Sequence, residues 1–156
     1  MGYLVTGDQV SRWVAGQLGI TVEIEKTAGV GWADEDGMVT QGAAFYNYSG
    51  RNMYVHVALL PEHRIVPTFL AAMMDYPFRQ AKVHRLTGLI PAKNECGKAL
   101  AVSLGGVLEG CLRECLANDD LLVYGLVQPQ AERWLTAPYQ RRLRRNIGVA
   151  HGQVVT

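Results

Sequence analysis

Four histidines, three cysteines and an arginine-rich run are the residues of this 156-residue chain whose types can do chemistry. His56 lies in the apolar run NMYVHVALL. An imidazole titrates near neutral pH and can serve as a general base. Strand parity puts His56 on the same face as Tyr54. His84 opens the next apolar run, VHRLTGLI, and reads as structural. Cys96, Cys111 and Cys115 are odd in number and form no C-x-x-C pair, which argues against a disulfide framework and a zinc site. On an extended strand Cys111 and Cys115 stand roughly 13 Å apart, too far for a shared metal or a mutual bond. Cys96, in the first turn of an expected helix, reads as an inert thiol. Tyr46 and Tyr48 are two apart on an expected strand and so share a face. With Trp32 they are candidates to line a substrate pocket.

The remaining composition bounds the class. Hydrophobic residues make up 49% and charged residues 19%, the mean hydropathy is +0.03 and the net charge is +1. Such a chain buries a core and is not disordered. No run approaches the ~18 consecutive apolar residues of a membrane span. The start, MGYLVTGDQVSRW, lacks a basic region followed by an apolar one, so no secretory leader is expected. The expectation is a cytoplasmic protein with free thiols, no metal and no membrane partner. Charge is uneven. Residues 1–130 hold ten basic and thirteen acidic side chains, whereas 131–156 hold five arginines and one glutamate. Four of those arginines, Arg141, Arg142, Arg144 and Arg145, sit in RRLRR, which suits a subunit contact or a nucleic-acid phosphate. No aromatic residue interleaves with them, against single-strand binding. The division expected is one domain over 1–130 and a basic helix or tail over 131–156.

Elements that must position these residues can be read from periodicity. DQVSRWVAGQLG, with Asp8 as cap and Gly19 as stop, predicts a helix. ITVEIE alternates apolar and acidic residues and predicts a strand. AGVGWA, MVTQGAAFYNYSG and RNMYVHVALL predict further strands, with turns at Asp34–Gly37 and Ser49-Gly50. Pro67 opens a helix over 67–76, ended by Pro77. VHRLTGLI is a strand, NECGKALAVSLGG a helix capped by Asn94, and VLEGCLREC and DLLVYGLV two more strands. QAERWL begins a last helix, broken at Pro138. Strands in one sheet with helices over it make an α/β (α+β) fold.

The stretch RLTGLIPAKNECGKALAVSLGGVLEGCLRE resembles the second half of the GCN5-related N-acetyltransferase (GNAT) superfamily. It is most similar to the branch of ribosomal-protein N-terminal acetyltransferases. Asn94, Leu104-Gly105, Glu109-Gly110 and Arg113 fall where that pattern has Asn, Leu-Gly, Glu-Gly and Arg. Short chains with this pattern also resemble phage-encoded members. The resemblance covers about residues 38–127. It implies a mixed, mostly antiparallel sheet flanked by helices, with central strands that splay into a V. It also implies acetyl-CoA as co-substrate, its arm in the V against the backbone of Val57, Ala58 and Leu59. The phosphates would lie at the start of the 67–76 helix, near His63 and Arg64; Thr68 and Lys98 are further cofactor-binding candidates, and Asn94 would touch cofactor near the thioester or pantetheine. The two strands are expected to diverge after Val57. A homodimer is common in the family.

Three positions depart from the pattern. The family's phosphate loop has the form [QR]-x-x-G-x-[GA]. Here Arg64 keeps the first place, while Pro67 and Phe69 replace the glycines, and Pro67 has no N–H to offer. Ala101 stands where many members carry a tyrosine acid. The implied activity is acetyl transfer from acetyl-CoA directly to an amine, on a small molecule, a protein N-terminus or a lysine, with His56 and Asn94 as catalytic candidates. The alternatives are an inactive binding module of the same fold, motivated by the altered loop, and a nucleic-acid-modifying member using Arg141–Arg145.

Overall fold

Short apolar runs with valine and aromatic residues recur through the middle of the chain, and the computed structural model, which describes residues 1–147, gathers them into a seven-stranded sheet. The strands are β1 (Tyr3–Thr6), β2 (Ala28–Ala33), β3 (Val39–Tyr46), β4 (Asn52–Leu59), β5 (Arg85–Pro91), β6 (Val107–Leu116) and β7 (Asp119–Val127). Their order is β1-β2-β3-β4-β5-β7-β6, and every neighbouring pair is antiparallel except β4 and β5. This is the mixed, mostly antiparallel sheet expected.

Helices cover both faces. α1 (Asp8–Leu18) lays Val10 and Val14 over Val5, Ala33, Ala44 and Ala58 on one face. α2 (Pro67–Asp75) is buried along nearly its whole length on the other, with Phe69, Leu70, Met73 and Met74 packed among Leu4, Val30, Phe45 and Met53. Each such side chain contributes about 1.5–3 kcal/mol by leaving water. α3 (Glu95–Ser103) follows β5. After a short helix α4 (Gln128–Ala131), α5 (Ala137–Ile147) packs on α2, burying Leu143 and setting Gln140 Nε2 3.3 Å from Asp75 Oδ1.

Several sequence expectations are corrected. ITVEIE is not a strand. Thr27 Oγ1 donates to Glu23 O (2.7 Å), Lys26 N–H donates to Glu23 O (3.0 Å) and Lys26 pairs with Glu23, so the segment ends in a 3-10 turn at Ile24–Lys26. β1, which the sequence reading missed, pairs with β2 instead. Gly7, at φ 109°, stands before the first helical residue, so Asp8 sits in the first turn of α1 and not at the cap. Pro77 does not stop the 67–76 helix abruptly. The chain continues through a wide turn, Tyr76–Gln80, with Ala81 N–H bonded to Tyr76 O at 2.9 Å. Pro138 does not break a helix either, because it occupies the first turn of α5, where its missing N–H costs nothing.

Candidate active site in the gap between two strands

β4 and β5 pair in parallel over only three positions, Asn52–Arg85, Met53–Leu86 and Tyr54–Thr87. They then part, three residues earlier than the Val57 expected from sequence. Beyond Tyr54 a cavity of about 380 Å³ fills the V. Its walls come from β4 (Val55, His56, Val57), β5 (Gly88–Pro91), α2 (Met73, Met74), α3 (Gly97, Leu100, Ala101) and the end of α1 (Leu18, Ile20 beyond it). Phe69 belongs to the core and is not among the walls.

Backbone alternation decides which peptide groups face the gap. Leu60 N–H donates to Thr40 O (3.0 Å), so even-numbered residues of β4 turn their peptide groups to β3. Odd-numbered Val57 and Leu59 therefore turn theirs to the gap, where β5 has departed. On the opposite rim the same alternation turns Leu89 inward. Val57 and Leu59 stand where the sequence reading placed them. Ala58 does not: its peptide groups bond β3 and its side chain is buried under α1.

His56 lies on the gap, stacked on Tyr46 with ring centroids 4.5 Å apart and planes 13° from parallel. Tyr46 meets Tyr54 at 5.5 Å. Burial lowers the His56 pKa below the usual imidazole range, favouring the neutral ring. Burial first, and then Tyr54, raises that of Tyr46. The expected trio of Trp32, Tyr46 and Tyr48 is not brought together. Trp32 is buried on the α2 face of the sheet, opposite Tyr46. β3 ends at Tyr46 because Asn47 adopts a left-handed conformation (φ 51°), and Tyr48 swings away to donate to Ala81 O at 3.4 Å.

Asn94 lines the cavity and caps α3, its Oδ1 accepting from Gly97 N–H at 2.9 Å. Its amide NH2 is the donor left for a ligand. Lys98 is tied to Glu95 at 2.8 Å and is not a wall residue. At the start of α2, Thr68 is buried, while His63 and Arg64 are exposed on the preceding loop. His63 Nδ1 lies 3.1 Å from Pro61 O. Buried Gln41, unremarked in the sequence, fixes that loop: Nε2 donates to Arg64 O (2.6 Å) and Oε1 accepts from Val66 N–H (2.8 Å). A glutamine amid strand residues gives no signal of a partner 23 positions away. Also unread were Arg133 and Trp134, which donate to Ser103 O (2.7 Å) and Leu104 O (3.0 Å) and close the end of α3. Gly105, at φ 98°, completes that turn.

Beside His56 on the same face, Arg85 forms a two-pronged pair with Glu109 (2.7 and 3.3 Å) and reaches Thr87 Oγ1, which donates to Asn52 Oδ1 at 2.8 Å. Arg85 first by its hydrogen bond holds the Glu109 carboxyl below its ordinary pKa. Arg141, Arg142, Arg144 and Arg145 lie exposed on α5, and none lines the cavity. Cys96, Cys111 and Cys115 are exposed free thiols, and no metal-binding cluster occurs among the described residues. No described helix is long and apolar enough to cross a membrane.

No family model and no curated protein matches the chain. Solved structures do. A structure of mutant forms of the spermidine/spermine N-acetyltransferase of Vibrio cholerae superposes with a TM-score of 0.66 at 15% identity, covering 85% of this chain and 98% of that one. The ribosomal-protein-S5-alanine acetyltransferase of Vibrio fischeri superposes at 0.58 with 17% identity, over 66% of this chain and 62% of that one. A dodecameric structure of spermidine N-acetyltransferase from Vibrio cholerae gives 0.63 at 15%, over 83% and 95%. The fold is that of the GCN5-related N-acetyltransferases. In this GNAT fold the parted β4 and β5 form the V that the resemblance implied.

Proposed function

We propose that the chain is an acetyl-CoA-dependent N-acetyltransferase that passes the acetyl group directly to a primary amine. The observation that carries this reading is the parting of β4 and β5 beyond Tyr54, which leaves an apolar slot rimmed by unpaired peptide groups. A pantetheine arm bears two amides on a thin chain. It suits a slot where Val57 and Leu59 offer N–H and C=O groups as an incomplete sheet would. The first-turn N–H groups of α2, at Thr68 and Phe69, together with Arg64, suit the phosphates. No metal is needed for the step.

The chemistry then follows from the residues. The amine nitrogen attacks the thioester carbonyl, the C–N bond forms, and the C–S bond breaks with its electron pair leaving on sulfur. The proton lost by nitrogen passes to His56 Nδ1 or Nε2, and the thiolate takes a proton back from that imidazolium or from water. His56 suits this role because burial keeps its ring neutral and Tyr46 holds its plane. The oxyanion is met by a β4 peptide N–H, that of Val57 being turned to the gap.

Calorimetric titration with acetyl-CoA tests the reading first, and the absence of heat at millimolar ligand refutes it. Thiol release in the presence of amines tests turnover. The binding-module alternative keeps one observation in its favour: Gln41 occupies the Val66 N–H and Pro67 has none, which thins the phosphate cradle. That alternative predicts no thiol release with any amine.

A further inference from the structure

We infer that the acceptor is a primary amine on an apolar body, and not a polyamine or a cationic peptide; this rests on the acetyl-transfer reading above. Residues from both faces of the sheet line the cavity, so it reaches through the V. On the α2 and α3 face its walls are Met73 and Met74 from the last turn of α2 and Gly97, Leu100 and Ala101 of α3, where the co-substrate's arm fits; no residue of the 63–69 segment that starts α2 is among them. The other side, on the α1 face, is left for the acceptor. Its walls are Leu18, Ile20, Leu89, Leu116 and Leu121, with His56 as the polar group at their inner edge. Strand parity puts Leu89 and Leu121 on that face with His56, and Leu18 and Ile20 reach it from the end of α1.

Among the described residues, no aspartate, glutamate, lysine or arginine lines the cavity. Three of the carboxylates near the walls in sequence are engaged elsewhere, while Glu114, two residues from Leu116, is exposed. Glu23 pairs with Lys26, Asp119 accepts from Lys93 N–H (3.0 Å), and Asp120 accepts from Glu114 N–H (2.8 Å). Glu109, the acidic group of the polar stripe beside His56, is held by Arg85. A second ammonium, as in a polyamine, would lose its hydration against leucine and isoleucine with no counter-charge. An aromatic or branched aliphatic body would instead bury against the exposed faces of Leu18 and Ile20. The reacting nitrogen would still meet a proton acceptor in His56.

The experiment compares 2-phenylethylamine with spermidine as acceptors for the full chain and acetyl-CoA, read by thiol release, with acetyl-CoA binding measured separately by calorimetry. The expected result is a kcat/KM at least about tenfold higher for 2-phenylethylamine. In a Leu18→Glu variant, and independently in Ile20→Glu, that ratio should fall by about tenfold or more, with acetyl-CoA affinity and melting temperature retained. Spermidine used as well as 2-phenylethylamine overturns this inference while leaving acetyl transfer standing. A ratio unmoved in both folded variants overturns it as well. Failure of acetyl-CoA to bind overturns the acetyl-transfer reading itself.

Discussion

Gly88 offers a way to close the gap without harming the fold. It lies in β5 on the cavity wall, and a Cβ built there meets nothing within 4 Å. In Gly88→Val three carbons enter a space of about 380 Å³. Replacing glycine inside a strand recovers about 0.5–1 kcal/mol of backbone entropy. Apolar burial adds up to ~0.8 kcal/mol per carbon, less for atoms that remain partly wet. A net gain of about 1–3 kcal/mol follows, and each 1 kcal/mol raises the melting temperature of a chain of this size by roughly 2–4 °C. Acetyl-CoA faces the opposite effect. Forcing its arm past the new side chain costs the ~1–3 kcal/mol typical of overpacking, so affinity falls roughly 5- to 150-fold. Scanning calorimetry reads the first change and titration calorimetry the second. A Gly88→Val protein that melts higher yet binds acetyl-CoA as the parent does would refute the placement of the arm between β4 and β5.

Four further outcomes are expected. Gln41→Ala removes both bonds to the Arg64–Val66 loop and should cost about 2–3 kcal/mol, read as a drop in urea midpoint, with weaker acetyl-CoA binding. Asn94→Ala strips the cap of α3 and should cost about 1 kcal/mol in the same assay. Gly125→Ala places a methyl group on the Glu109 carboxylate, displacing it from Arg85; an intact Arg85–Glu109 pair in a crystal structure of the variant would contradict this. Because burial depresses the His56 pKa, the folded state binds fewer protons than the unfolded state. Its contribution is complete above the unfolded imidazole value of about 6.5 and is lost as pH falls through the lower folded value. His56→Gln should flatten that acid slope in a pH series of unfolding curves.

Much of the scaffold was legible because its determinants are local. The run from Asn94 to Gly110 carries a helix cap, a helix stop and a strand start in fixed order, and the structure places all three as expected. β4 and α2 were readable from apolar period and from Pro67 at a helix start. What escaped depends on partners distant in sequence. ITVEIE alternates as strands do, but its own hydrogen bonds curl it, while β2 takes β1 and β3 as neighbours. Tyr46 and Tyr48 obey parity only while the strand lasts, and Asn47 ends it with one positive φ. Trp32 shares a sheet with Tyr46 yet faces the other side, a matter of register between β2 and β3 that composition does not encode. His56 was found because imidazole on an apolar strand is conspicuous. The leucines opposite it were not, since a leucine lining a slot reads the same as a leucine in a core.

β6 forms the outer rim of the sheet and leaves Val107, Leu108, Leu112 and Leu116 in contact with water. Such a margin ordinarily invites a neighbouring chain to extend the sheet. Two irregularities, at Leu108–Gly110 and at Leu112–Leu116, with Glu114 at φ 55°, interrupt the regular spacing that a docking strand would have to match. Any assembly using this margin must therefore be built from side-chain packing, and the apolar residues there can be exchanged for charged ones without loss of a backbone ladder.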